Sequence, residues 1–389
     1  MTTAAPPAGS AAPLAVYVHW PYCARICPYC DFNVVRDRGQ AEQAALALAI
    51  VRDLEGQAAL TGPRRLGSIF FGGGTPSLMD PAWAAAIIAA ARRLWTPDED
   101  LEISLEANPT DAEAGRFAAF ADAGVRRLSL GVQSLDDAAL KALGRNHDAA
   151  EARRAAILAA RTFPRLSIDL IYARPGQTAP AWRAELAAAL AFGPEHVSPY
   201  QLTIEAGTAF DRAVGRGTLV PPDADAAAAL YETTQAVLED AGFEAYEVSN
   251  HARGPGARSR HNLAYWRGHD YVGAGPGAHG RLTLDAGRTA TVAARQVRDY
   301  IASVEAAGVG FAEREALSGR DAALERLLMG LRIHEGVGFA ELAPLGLSAS
   351  DPRVLAFAEA GLLVPGETRL IATAAGRRVL DRLTAELAG

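Results

Sequence analysis

The chain has 389 residues, 50 % hydrophobic and 21 % charged, which supplies a large core with a smaller unit beside it and excludes a fibrous or disordered protein. Its 38 Lys and Arg against 45 Asp and Glu give a formal net charge of -7, so no overall electrostatic pull toward nucleic acid or an anionic membrane exists. The Ala-rich stretches, such as the one around Ala84 to Leu94, are broken by charge and exclude a transmembrane span, leaving peripheral membrane contact open.

Residues 1–13, MTTAAPPAGSAAP, lack a cationic start and an apolar core, so they read as a disordered tail and not as a secretion signal. From 14 to 203, short β-branched or apolar runs alternate with segments of helical period. The strand candidates are Leu14 to His19, Ser68 to Phe71, Leu101 to Leu105, Arg127 to Gly131, Leu166 to Tyr172 and His196 to Leu202. Helical patterns lie near 41–60, 81–94, 111–123, 148–161 and 179–191. Six such units predict an α/β fold, an incomplete (β/α)6 barrel whose reactive side chains gather at the carboxyl ends of the strands. Residues 204–299 read as a less regular barrel extension with a helix near 224–240 and the aromatic segment His261-Asn-Leu-Ala-Tyr-Trp266. Residues 300–389 read as a helical, winged-helix-like carboxyl-terminal domain. Leu324, Leu327, Leu328 and Leu331 fall on one helical face there, and Arg369 to Thr373 follow Phe357 to Leu363 as a hairpin wing. Acidic residues match the arginines in this module, which favours a lid or docking unit over nucleic-acid binding.

All three cysteines fall within eight residues, as Cys23-Ala-Arg-Ile-Cys27-Pro-Tyr-Cys30, directly after the first strand. Three thiolates at this spacing wrap a cubane iron-sulfur cluster and leave one iron open, whereas a structural zinc takes four ligands. The competing readings are a zinc knuckle completed by His19 and three ordinary buried thiols. Tyr29 and Phe32 are expected to shield the cluster from water. Exposed cluster thiols fit a reducing cytoplasm. The run Gly72-Gly73-Gly74-Thr75 after the second strand offers backbone groups to a ligand's amino and carboxylate ends. Glu106, Gln133, Arg145 and Asp169 offer acceptors for ribose hydroxyls and a partner for a carboxylate, although each taken alone reads equally as a structural polar residue. For His261, Tyr265 and Trp266 two readings stand: packing under the barrel rim with the histidine hydrogen-bonded, or an axial haem ligand flanked by stacking rings.

The segments Val16 to Phe32, Gly72-Gly-Gly-Thr-Pro-Ser77, Glu106-Ala-Asn-Pro109, Gly131-Val-Gln-Ser134 and Asp169-Leu-Ile-Tyr172 resemble the radical S-adenosylmethionine (SAM) superfamily. Within it the chain resembles the HemW haem chaperones, once grouped with the oxygen-independent coproporphyrinogen III oxidases. The resemblance implies a 4Fe-4S cluster on Cys23, Cys27 and Cys30 whose open iron chelates SAM. It implies SAM contacts from Tyr17, Gly73, Gly74, Thr75, Glu106, Gln133, Arg145 and Asp169, and haem binding by the HNxxYW residues His261, Tyr265 and Trp266. His251, His269 and His279 stand next as iron ligands. Two departures matter: the oxidase carries a further cysteine where this chain has Phe32, and the Gly-Leu common after Asp-Leu-Ile-Tyr is here Ala173-Arg174. The implied function is delivery of haem to an acceptor such as a respiratory enzyme, with an electron donor as second partner. The alternatives are an active coproporphyrinogen III dehydrogenase and a zinc-stabilised binding module.

Overall fold

All six expected strands form, as β1 (Leu14–Trp20), β2 (Arg65–Gly73), β3 (Thr96–Ala107), β4 (Arg127–Gln133), β5 (Arg165–Tyr172) and β6 (His196–Gln201). The coordinates are a computed structural model that describes residues 12–285 and 287–389; the expected tail at 1–13 falls almost wholly outside them. Each strand pairs in parallel with the next, so all six carboxyl ends open on the same side. Helices cover the outer face: α1 (Gln40–Thr61), α2 (Pro81–Leu94), α3 (Phe117–Asp122), α4 (Ala149–Thr162) and α5 (Ala179–Leu190). Their starts carry side-chain caps, from Asp80 for α2, an Asp148–Glu151 capping box for α4 and Thr178 for α5. The helix expected over 111–123 is split into Asp111–Ala114 and α3. Gly115, a poor helix former, sits in the break, and Arg116 turns its guanidinium to the Leu78 and Met79 carbonyls at 3.3 Å.

The strands are apolar toward the helices and polar toward the barrel interior. In β1, Val16, Val18 and Trp20 are fully buried in the main core, while Tyr17 faces the interior. A helix labelled α6 (Ala224–Asp240) packs on α5. Beyond it, the region expected to be irregular carries strands of the same sheet. β7 (Tyr271–Ala274) pairs in parallel with the free side of β1, and β8 (His279–Leu284), β9 (Gly287–Ala293) and β10 (Phe311–Ala316) continue antiparallel; with the short strands Glu244–Ala245 and His251–Ala252 beyond β6 they make a sheet of twelve strands. The sheet therefore runs past residue 299. A separate second core spans Ala323 to Leu387, around α8 (Gly319–Gly330) and the short pairing of Val337–Gly338 with Arg369–Leu370. Leu327 and Leu331 are buried there and Leu324 packs against them, but Leu328 is 45 % exposed and stands off the expected apolar face.

Candidate functional site

The cysteine loop is closed at its base. Tyr22–Cys23 pairs with Val35–Arg36, the Val35 amide donates to the Pro21 carbonyl at 2.9 Å, and the Asp37 amide donates to the Cys23 carbonyl at 3.2 Å. His19 and Asn33 brace it from the side: His19 Nε2 donates to the Asn33 carbonyl at 2.8 Å, and Asn33 Nδ2 donates to the Pro276 and Arg295 carbonyls at 2.9 Å each. Cys23 is buried; Cys27 and Cys30 are half-buried and joined by a Cys30 amide to Cys27 carbonyl bond of 3.2 Å. Burial pushes the Cys23 thiol up to about 11 and that of Cys30 upward, so as thiols they stay protonated; binding to iron replaces those protons. Among the described residues no three His, Cys, Asp or Glu side chains converge closely enough to share one metal ion. A polynuclear cluster, whose sulfurs bind different irons, needs no such convergence.

The glycine run lies against this loop. Gly73 has φ 112°, and a Cβ on Gly74 would stand 2.7 Å from the Pro21 carbonyl oxygen, so neither position tolerates a side chain. The Gly74 amide donates to the Trp20 carbonyl (2.8 Å), and the Thr75 hydroxyl reaches Cys23 Sγ at 3.6 Å. Arg145 ties the loop to the barrel: Nη1 donates to Cys27 Sγ (3.3 Å) and the Tyr29 hydroxyl (3.4 Å), and Nη2 to Asn108 Oδ1 and the Gly131 carbonyl (3.2 Å). A guanidinium beside the sulfurs balances the negative charge of a thiolate-bound cluster.

A cavity of about 690 Å3 opens from the cysteines into the barrel interior. Alternate residues line it, Ser129, Gly131 and Gln133 from β4, Asp169 and Ile171 from β5, and Ser198 and Tyr200 from β6, as period two requires. Tyr17, Gly73, Gly74, Thr75, Glu106 and Arg145 line the same space, so all eight residues expected to meet SAM converge there. Glu106 Oε2 accepts from the Gly73 amide at 3.2 Å; burial, then the charge of Asp169, pushes its carboxyl up to about 8. Burial also raises Asp169, against the Ser129 hydroxyl that donates to it at 2.8 Å. Gln133 Oε1, Arg127 Nε and Arg145 Nε are buried with no hydrogen-bond partner among the described residues. Unsatisfied polar atoms on residues that line a cavity of this size, with both signs of charge, fit a ligand carrying amino, carboxylate and ribose groups. Asn108 lines the site from within the Glu106-Ala-Asn-Pro109 motif but was given no role, and Arg127, 2 % exposed, carried no motif; it was readable only from its parity with Ser129, Gly131 and Gln133 along β4.

A second cavity of about 940 Å3 shares Tyr17, Asp31, Phe32, Gly73, Glu106 and Tyr265 with the first and extends between β7–β9 and α8. Phe32 is 65 % exposed and lines both spaces; the expected shield is instead part of their common mouth. Tyr29 is half-buried, packed toward Phe210 with ring centroids 6.1 Å apart. Helix α7 (Arg260–Trp266), capped by Ser259, carries the aromatic segment. His261 on it is 1 % exposed, stacked on Phe70 at 4.9 Å, with Nδ1 3.1 Å from the Ser68 hydroxyl and Nε2 2.7 Å from the Tyr265 hydroxyl. Burial pushes its imidazole down to about 3. His261 lines the smaller cavity, whereas Trp266 lines the larger and Tyr265 both. The departure at Ala173-Arg174 closes the end of β5: Arg174 pairs with Glu185 and Ser134, and Glu185 accepts from the Leu135 amide at 2.7 Å.

Residues 17–186 match the Radical SAM superfamily and residues 317–379 the HemN C-terminal domain. "Radical S-adenosyl methionine domain-containing protein 1, mitochondrial" of Bos taurus is 41 % identical over 98 % of this chain and 88 % of its own length. "Heme chaperone HemW" of Mycobacterium tuberculosis (strain ATCC 25618 / H37Rv) is 37 % identical over 97 % of this chain and 95 % of its own. The solved structure of coproporphyrinogen III oxidase (HemN) from Escherichia coli shares the fold, with a TM-score of 0.79 and 20 % identity over 98 % of this chain and 91 % of that one. No helix among the described residues is long and apolar enough to cross a membrane. With cysteine loop, glycine run and carboxyl-terminal unit all matched, the chain belongs to the radical SAM superfamily, in the group that contains HemW and HemN.

Proposed function

We propose that this protein is a haem chaperone of the HemW type, holding a 4Fe-4S cluster on Cys23, Cys27 and Cys30, SAM in the smaller cavity, and haem for delivery to an acceptor protein. The observation that carries this reading is the pair of adjoining cavities: one with the chemistry of a SAM site beside the cysteines, the other larger and aromatic-walled, with a common mouth between them. Curated relatives named heme chaperones support the same reading. When bound, a reduced cluster supplies one-electron chemistry to a sulfonium held beside it. The chain's own part is positional. Arg145 holds Cys27, Tyr29 and Asn108 in one frame, Glu106 braces the glycine run, and Ser129 and Ser167 orient Asp169 toward ribose hydroxyls.

Phe32, standing where the oxidase has its further cysteine, favours the chaperone over porphyrinogen decarboxylation. Cytoplasmic residence and the need for an electron donor are parts of the same proposal. The test adds haem to the anaerobically reconstituted protein, follows the Soret band, and assays coproporphyrinogen conversion in parallel. Haem binding without conversion is expected; conversion to protoporphyrinogen would make the protein a dehydrogenase, and neither activity would remove haem from the reading.

A further inference from the structure

The larger cavity, at about 940 Å3, lies at the upper end of the roughly 300–1,000 Å3 typical of small-molecule sites. Trp266, Tyr271, Val292 and Met329 give it apolar walls suited to a flat macrocycle. Two histidines line it. His19 has no free ring nitrogen, because Nε2 donates to the Asn33 carbonyl and Nδ1 therefore accepts from the Tyr17 hydroxyl at 3.0 Å. His279, at the start of β8, is exposed, and its ring makes no hydrogen bond with any described residue. Its place is fixed by the turn before it. Gly275 has φ 106° and a Cβ there would stand 2.2 Å from the His19 carbonyl oxygen; Gly277 has φ 77° and a Cβ there would stand 2.6 Å from Asn33 Nδ2. The turn is thus pressed against the cysteine loop, and His279 leaves it into the cavity with its nitrogens unengaged.

The charges show the same selectivity. Arg267, Arg281, Arg288 and Arg326 line this space and are paired with Glu335, Glu325, Asp270 and Glu341. Arg295, also lining it, is exposed and has no carboxylate partner among the described residues. By contrast His261 faces the other cavity, with both ring nitrogens engaged. We propose that His279 is the axial ligand of an iron tetrapyrrole seated in the larger cavity, with Arg295 meeting one of its carboxylates, and that His261 positions Tyr265 without binding iron.

This inference rests on the haem-handling reading above, and one titration separates the two. Haem is added to the full-length protein and binding is followed by the Soret band, with EPR and resonance Raman reporting the axial ligand. Replacing His279 by Gly should weaken haem binding by at least about tenfold, abolish the histidine signature, and recover that signature when imidazole is added. Arg295→Glu should lower affinity by about tenfold and leave the ligand spectrum unchanged. His261→Ala should keep the histidine signature. If the wild-type protein binds no haem, the functional reading fails and this one with it. If it binds haem but His279→Gly keeps the wild-type spectrum, or His261→Ala loses it at unchanged thermal stability, only the assignment of His279 is overturned.

Discussion

Gln133 and Ala173 are the non-glycine residues with positive φ among those described, at 63° and 58°. A side chain in this left-handed region costs about 1 kcal/mol. The two strains have different uses. Gln133 follows a register shift between β4 and β5 and lines the smaller cavity, where its Oε1 has no partner among the described residues. Ala173 is 3 % exposed and only ends β5. Gln133→Gly should therefore raise stability by about 1 kcal/mol while weakening SAM binding about tenfold, and Ala173→Gly should give the first effect without the second. Denaturant titration and calorimetric SAM binding separate the two; equal losses of SAM affinity would deny Gln133 a ligand-facing role. Arg145→Lys should also weaken SAM binding and bleach the cluster faster in air, since one ammonium cannot span Cys27, Tyr29, Asn108 and Gly131. An unchanged bleaching rate would show that the loop holds itself.

At the scale of elements, the helix carrying HNLAYW depends on a buried carboxylate 158 residues away in sequence. Glu102 on β3 accepts from the Arg260 amide (3.0 Å) and the His261 amide (3.3 Å) and pairs with Arg165 at 2.7 Å, while 4 % exposed. It does the work of an N-terminal cap, reinforced by the helix dipole. Glu102→Ala leaves Arg165 with one carboxylate and two helical amides unpaired. We expect a loss of about 3 kcal/mol and a disordered Tyr265–Trp266 wall, read by urea unfolding and tryptophan fluorescence. A loss under about 1 kcal/mol would place the anchor elsewhere. The six barrel strands were legible because each is a β-branched or apolar run followed by a turn or a reactive residue. β7 to β10 were not, because β7 is the glycine-broken Tyr271-Val-Gly-Ala and its pairing with β1 spans the whole barrel in sequence. The residues that line the smaller cavity at the strand ends were legible from their motifs. Arg127 was hidden inside a strand, and the engagement of His261 by Ser68 depends on a contact 193 residues apart that no local pattern encodes.

For the whole molecule, burial holds six of the eight histidines below their ordinary value, His251 and His269 at about 4 and His261 at about 3, and partial desolvation lowers the more exposed His279 and His334 as well. An imidazole that ionises near 6.5 in the unfolded chain stays neutral in the fold, so its contribution is complete above 6.5 and is lost as pH falls below it. Asp53, raised to about 6 by burial, and Glu106, raised to about 8, act in the opposite sense, losing stability as pH rises through those values. Glu113 and Asp169 are also raised, but His147, His251, His261 and His269, at about 4 or below, and His196, well below its ordinary value, stay neutral throughout pH 6.5 to 5. The urea midpoint should therefore fall as pH is lowered through that window; a flat or rising midpoint would contradict the buried neutral histidines.

What joins these scales is a three-cysteine loop placed at the mouth of the smaller, polar-lined cavity. Anaerobic reconstitution with iron and sulfide, followed by SAM titration monitored by EPR of the reduced protein, tests it most directly. The expected result is a cluster signal that shifts as SAM is added and is absent in Cys27→Ser. Protein that takes up no iron and sulfide, or a cluster signal indifferent to both SAM and the loss of Cys27, would contradict it.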